Sequence, residues 1–178
     1  GHESMLLYSL LFMNGWMQMD DIKSFRQLNS LTPGHPEVEL PGVECTTGPL
    51  GQGVGMGVGM AVAEAILNHL FEDKKTPNPV NHYTYILAGD GDLQEPIVFG
   101  AAALAGHWKL AKIIMYYDSN DAQISGKIGR SDSTDYAGVF EALGWNVNTI
   151  DGHDHDAIKS TIETAKVIDM PSLIIGKS

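Results

Sequence analysis

Two apolar runs, Tyr83-Thr84-Tyr85-Ile86-Leu87-Ala88 and Ile113-Ile114-Met115-Tyr116-Tyr117, each end on a polar signature. The first is followed by Gly89-Asp90-Gly91-Asp92-Leu93-Gln94-Glu95 and the second by Asp118-Ser119-Asn120. The β-branched and aromatic content of both runs predicts buried strands, with a helical stretch between them. Strands alternating with helices build a parallel sheet, and such sheets bind ligands at the carboxyl edge of their strands. Asp90 and Asn120 fall at that edge on adjacent strands. The glycines flanking Asp90 let the backbone turn sharply and bring bare N–H groups against an anion, while the following helix directs its positive end the same way. Asp90 is thus placed to hold a cation and Asn120 to add a second oxygen. Oxygen ligands beside a diphosphate suit Mg²⁺ or Ca²⁺. A Gly-Asp-Gly triplet alone also occurs in ordinary tight turns; the asparagine 30 residues on, just past an apolar strand, is what gives it weight.

The rest of the chain continues the alternation. Helical patterns run from Glu3 to Met13, with Leu6, Leu7, Leu10 and Leu11 on one face, and from the acidic start Met19-Asp20-Asp21 through about Leu28. The Pro-, Gly- and Thr-rich stretch from Asn29 to Pro49 predicts ordered loop. A long helix follows from Val54 to Phe71. Its first turns carry Gly55, Gly57 and Gly59, which indicate either tight packing on a neighbouring element or close approach to a cofactor. The stretch from Glu72 to Pro79 reads as a surface connection. After the first strand come a helix from about Pro96 to Gly106, the second strand, and a loop from Asp118 to Asp132. Asp135 to Leu143 reads as helix, Trp145 to Ile150 as strand, His155 to Val167 as helix and Ser172 to Ile175 as strand. The fold class is α/β, a parallel sheet with helices on both faces. Gly51-Gln52-Gly53 is not a dinucleotide fingerprint, because no strand precedes it.

Composition narrows the partners. The 178 residues suit a single domain with one sizeable core. A formal charge of −11 argues against nucleic acid, and it requires that attraction for a phosphorylated ligand come from local donors and a metal. The single cysteine, Cys45, excludes an intrachain disulfide and fits a reducing compartment, so cytoplasmic residence is the expectation. No stretch reads as long or apolar enough to span a bilayer, and no signal-peptide pattern opens the chain.

Several segments in order resemble the transketolase family: Gly1-His2-Glu3-Ser4 leading into Leu6-Leu7-Tyr8, Phe25-Arg26-Gln27-Leu28, Thr32-Pro33-Gly34-His35-Pro36-Glu37, Thr46-Thr47-Gly48-Pro49-Leu50-Gly51-Gln52-Gly53, Leu104-Ala105-Gly106-His107 and Phe140-Glu141-Ala142-Leu143-Gly144-Trp145. The resemblance covers essentially the whole chain. It implies a thiamine diphosphate-binding fold, specifically the central part of the diphosphate-binding domain. Asp90 and Asn120 would then bind Mg²⁺ (Ca²⁺ being the alternative), and the main-chain carbonyl of Ala122 would complete the protein ligands. Gly91 would donate its N–H to the diphosphate, and Gly48, Pro49 and Leu50 would contact the cofactor's rings. His2 and His35 match histidines lining the cofactor and donor-sugar channel. His35, between glycine and proline, can hydrogen-bond sugar hydroxyls and move protons. His69, His82, His107, His153 and His155 read as structural. Glu95 matches a glutamate at the subunit interface, close to the carboxylate from the partner domain that activates the cofactor.

The chain departs from the family in three ways. Pro96 stands where glycine often follows that glutamate, which a first helical turn tolerates. Gly100 stands where a second glutamate is common, so a proton relay through position 100 is in doubt. The pyrimidine-binding and C-terminal domains, which supply the activating carboxylate across a homodimer interface, are not in this sequence. The resemblance therefore implies a fragment of a transketolase, inactive alone, whose parent transfers a two-carbon ketol group between sugar phosphates. A related enzyme such as dihydroxyacetone synthase or deoxyxylulose phosphate synthase, and a non-catalytic or split subunit that pairs with a separate chain, are the alternatives; the Thr-Pro-Gly-His-Pro segment weighs against the second of these enzymes.

Overall fold

A computed structural model describes residues 4–72, 77–124 and 126–178. The chain divides into two compact units, Gly1–Gly53 and Val54–Ser178.

In the first unit, helices α1 (Ser4–Met13) and α2 (Met19–Lys23) precede a long ordered loop. Tyr8, Leu11, Met17 and Val43 form its core, with Phe12, Ile22, Phe25 and Leu40 packed against them. The inward face of α1 is Ser4, Tyr8 and Leu11, with Leu7 packed against the core; of the leucine face expected from the sequence, Leu6 and Leu10 are exposed instead. The loop is tied to the helices by buried side chains. The Tyr8 hydroxyl donates to the Pro33 carbonyl at 2.8 Å, and the fully buried Thr32 donates to the Asp21 carbonyl at 2.6 Å. Helix α2 stops at Lys23, five residues short of the expected end. Arg26 and Asn29 take left-handed backbone angles (φ 62° and 61°), and Leu28 is 93% exposed, so no apolar contact carries the helix on.

The second unit is a four-stranded sheet of β1 (Thr84–Gly89), β2 (Ile113–Ser119), β3 (Asn146–Asp151) and β4 (Ser172–Lys177), in the order β1-β2-β4-β3, with every pair parallel. The inner strands are nearly continuous apolar runs because both faces are covered, whereas β1 alternates buried and exposed residues as an edge strand does. One face carries Ile86, Ala88, Ile113, Met115, Tyr117, Leu173 and Ile175. It packs against the apolar sides of α3 (Gln52–Leu70), α5 (Pro96–His107) and α6 (Tyr136–Ala142). The other face places Ile114 and Ile174 against Ala165 and Ile162 of α7 (His155–Ala165). Helices on both faces of a parallel sheet are what the alternation predicts.

Four details refine that reading. A four-residue helical turn, α4 (Asp90–Leu93), stands between β1 and α5, and a 3₁₀ turn at Ile128–Arg130 interrupts the expected 118–132 loop. Gly57 belongs to packing: a Cβ there would lie 2.6 Å from Ile86 Cδ1, so the glycine lets α3 approach β1. At 19 residues α3 is also long and apolar enough to cross a membrane by length and composition, contrary to the expectation that no stretch would be. The core helix of an α/β domain passes the same test. Val54, Val58, Ala61 and Glu64 of α3 are buried, and the Glu64 carboxylate is paired with Lys112 at the start of β2.

Candidate functional site

β1 ends at Gly89 directly across from Asp118 of β2, so the two polar signatures leave the sheet side by side. Gly89 is extended (φ −101°, ψ 179°), and Asp90 opens α4 with its side chain 3% exposed to solvent. The turn is braced by the Gly89 N–H donating to the Asp92 carboxylate at 3.0 Å. On the neighbouring segment Asp121 adopts φ 56°, a left-handed conformation that aspartate tolerates, and the chain folds back on itself. The Ala122 N–H then donates at 3.0 Å both to Asp90 Oδ2 and to Asn120 Oδ1. Asp90 and Asn120, 30 residues apart, thus place one oxygen each on a single amide. The Asn120 amide group is oriented in turn by its Nδ2 donating to Asp118 Oδ2 at 2.8 Å, while Ser178 Oγ donates to the other Asp118 oxygen at 2.7 Å. Gln94, at the end of α4, donates to Gln123 at 3.2 Å and fastens the two segments together.

The second oxygen of Asp90 accepts a hydrogen bond from the Tyr117 hydroxyl. Tyr117 closes the inner face of β2, and its ring meets Tyr136 edge-on at 5.8 Å. Burial first, and the bond to Asp90 second, push the Tyr117 phenol above its usual range, so it remains a donor at all ordinary pH values. Tyr136 is raised in the same way by burial and by its bond to Asp132. The Asp132 carboxyl is lowered by hydrogen bonds from Thr134 and then Tyr136. The sequence reading missed Tyr117. Its position in the strand was the available signal, since alternation from Ile113 and Met115 puts the residue at 117 on the inner face at the carboxyl end.

Whether these residues suit a cation can be tested on the charge balance. Among the described residues Asp90 has no cationic partner, although a buried carboxylate without one is costly. No group of three or more histidine, cysteine, aspartate or glutamate side chains that could hold a metal occurs among those residues. The site thus provides one charge, one amide oxygen and backbone. That is the donor set of a hard divalent cation whose remaining ligands come from a phosphate or water.

The remaining predicted residues fall in two places. Gly91 follows Asp90 in the first turn of α4, where backbone N–H groups have no intrahelical acceptor. Glu95 is the half-buried N-cap of α5 with no side-chain capping bond, and Pro96 occupies the first helical position. Gly100 is exposed and a Cβ there would meet nothing within 4 Å. In the first unit, His35 is exposed and its ring lies against Gly48. A Cβ at Gly48 would sit 2.8 Å from His35 Cγ, and φ is 134°, so glycine is required twice over. The segments bearing them are joined by Thr47 N–H donating to the Pro36 carbonyl at 3.1 Å and Val38 N–H donating to Thr46 Oγ1 at 3.0 Å. Pro49 and Leu50 continue this strip as exposed residues. His2 lies outside the described residues.

Comparison with known proteins gives a consistent answer. The family model for the thiamine diphosphate binding domain of transketolase matches residues 1–178. The transketolase of Staphylococcus aureus (strain MW2) is 49% identical over 180 residues, covering 100% of this chain and 27% of that protein. The Campylobacter jejuni transketolase structure superimposes with a TM-score of 0.93 at 46% identity, covering 99% of this chain and 28% of that one. A Pichia stipitis transketolase solved in complex with sedoheptulose-7-phosphate gives a TM-score of 0.90 at 37% identity, covering 97% and 26% respectively. The chain thus spans about a quarter of the length of the relatives it matches.

Proposed function

The chain belongs to the transketolase family as a thiamine diphosphate-binding domain, and from that premise we propose that it anchors the cofactor's diphosphate through a divalent metal, Mg²⁺ or alternatively Ca²⁺. The parent enzyme moves a two-carbon ketol group from a ketose phosphate to an aldose phosphate. When bound, thiamine diphosphate supplies the reactive thiazolium carbon that carries this unit. The observation that carries the proposal is the convergence of Asp90 Oδ2 and Asn120 Oδ1 on the Ala122 amide, at the carboxyl end of β1 and β2, with the Asp90 carboxylate buried and without a cationic partner among the described residues.

In this reading Asp90, Asn120 and the Ala122 carbonyl hold the metal, and the Gly91 N–H donates to the diphosphate. Gly48, Pro49 and Leu50 form a rigid strip for the cofactor rings. His35, braced on Gly48, hydrogen-bonds the sugar and moves a proton at its imidazole. Glu95 approaches the pyrimidine-binding domain of a partner subunit, which brings the activating carboxylate, so this chain is inactive alone and its parent works as a homodimer. Gly100 provides no carboxylate, and no relay through that position is part of the proposal.

Assay of ketol transfer in the full-length protein tests the reading. Asp90→Ala abolishes both turnover and Mg²⁺-dependent cofactor binding. His35→Ala lowers turnover by about 10²-fold or more, the scale of a lost proton-transfer group, while cofactor affinity is retained. Full turnover in either variant refutes the corresponding role. The Pichia stipitis complex makes sedoheptulose-7-phosphate the first donor to try.

A further inference from the structure

We propose that Tyr117 is the positioning residue of the metal site: its hydroxyl and the Ala122 N–H grip the two oxygens of Asp90 from two different segments and set the rotation of the carboxylate before a cation arrives. The proposal rests on the metal reading given above. The terminal torsion of aspartate is broad and roughly two-fold, so a lone hydrogen bond leaves the carboxylate free to turn. Here Oδ1 accepts from Tyr117 and Oδ2 from Ala122, and each oxygen keeps a lone pair for a ligand.

The donor itself is immobilised. Tyr117 is 4% exposed, its ring lies edge-on to Tyr136 at 76°, and Tyr136 stacks on Phe99 of α5 at 6.3 Å with 17° between the ring planes. The Tyr136 hydroxyl is held in turn by Asp132. Two helices and a loop thus fix a phenol that donates to Asp90 and is itself hydrogen-bonded by the Ser119 side chain. A tyrosine needed merely to fill the core would be replaced by phenylalanine without consequence for a metal. A hydrogen-bonding partner that orients a metal ligand typically changes metal affinity ten- to a hundredfold when removed.

The test uses the full-length protein with saturating thiamine diphosphate. Mg²⁺ is titrated into the wild type, Tyr117→Phe, Tyr136→Phe and Asp90→Ala, with the melting temperature of each metal-free protein as the measure of folding. Tyr117→Phe is expected to weaken apparent Mg²⁺ affinity ten- to a hundredfold at a nearly unchanged melting temperature, and Tyr136→Phe less than threefold. Mn²⁺ bound in place of Mg²⁺ should show broadened electron paramagnetic resonance lines in Tyr117→Phe, because an unfixed carboxylate gives a range of ligand geometries. A measurement on the unaltered protein does not depend on any variant folding: with tyrosine labelled at ¹³Cζ, the Tyr117 resonance should shift on adding Mg²⁺. Wild-type Mg²⁺ affinity and Mn²⁺ spectrum in Tyr117→Phe, or no shift at Cζ, overturn the proposal while leaving Asp90 as a ligand. Undiminished Mg²⁺ affinity in Asp90→Ala overturns both it and the metal assignment.

Discussion

Two carboxylates are buried to nearly the same extent at opposite ends of the sheet, Asp90 at 3% and Glu64 at 4% exposure, yet they are balanced differently. Glu64, on α3, receives Lys112 Nζ at 2.5 Å and the Asn68 amide at 3.3 Å; Lys112 also donates to Asn81 at 2.8 Å. This end of the sheet, where β2 begins, neutralises its charge from within. At the other end Asp90 has neutral donors only, Tyr117 and Ala122, and no cation among the described residues. A hydroxyl and an amide orient a carboxylate without cancelling its charge. The first arrangement fastens a helix to a sheet; the second leaves the charge to a ligand.

The sharpest way to break this comparison is to remove one partner at each end. Lys112→Met leaves Glu64 buried and unpaired and should cost about 3 kcal/mol in denaturant unfolding, near the lower end for buried pairs because Lys112 is partly exposed. Asp90→Asn in the metal-free protein should not destabilise the fold and should recover part of the cost of the unbalanced charge, because the amide can still accept from Ala122 while Tyr117 accepts from it. Equal costs at the two ends would sink the distinction. Replacing both charges at the first end, Glu64→Leu with Lys112→Met, should recover most of the single-variant loss, as buried pairs exchanged for apolar packing usually do.

The smallest effect concerns the bracket behind Tyr117. Asp132 is lowered below its ordinary value of 3.8 by Thr134 and Tyr136, so the stability it contributes is present above that value and is lost as the pH falls through its depressed folded-state value. Tyr136→Phe should therefore flatten the acid limb of a stability profile below pH about 4 and leave the neutral region little changed. An unaltered acid limb would show that the Tyr136 to Asp132 bond does not contribute.

The sheet was legible because its strands are short apolar runs bounded by turn residues; β1 and β2 begin within one residue of their predicted starts. Asp90 and Asn120 were legible for the same reason, since once two strands are parallel neighbours, whatever ends them shares an edge. Elsewhere local patterns gave way to distant contacts. The leucine stripe of α1 predicted only part of its buried face, Leu7 and Leu11, because the loop places the Pro33 carbonyl over Tyr8 and the core forms there. The helix expected through Leu28 failed on the left-handed backbone angle at Arg26, which an arginine side chain does not announce. Tyr117 was hidden inside an apolar strand: its hydroxyl matters only because Asp90, 27 residues earlier, ends beneath it. The glycines of α3 admitted two explanations, and only the distance to Ile86 assigns Gly57 to packing.

The claim that a metal balances Asp90 is tested most directly by calorimetric titration of thiamine diphosphate into the full-length protein, with and without Mg²⁺, in the wild type and in Asp90→Ala. The account predicts that withdrawing Mg²⁺ and removing the carboxylate each weaken binding at least about 100-fold, a loss of about 2.7 kcal/mol. It also predicts that the two losses do not add, because each removes the same interaction. Asp90→Ala binding the cofactor as tightly as the wild type, with its Mg²⁺ dependence intact, would contradict it.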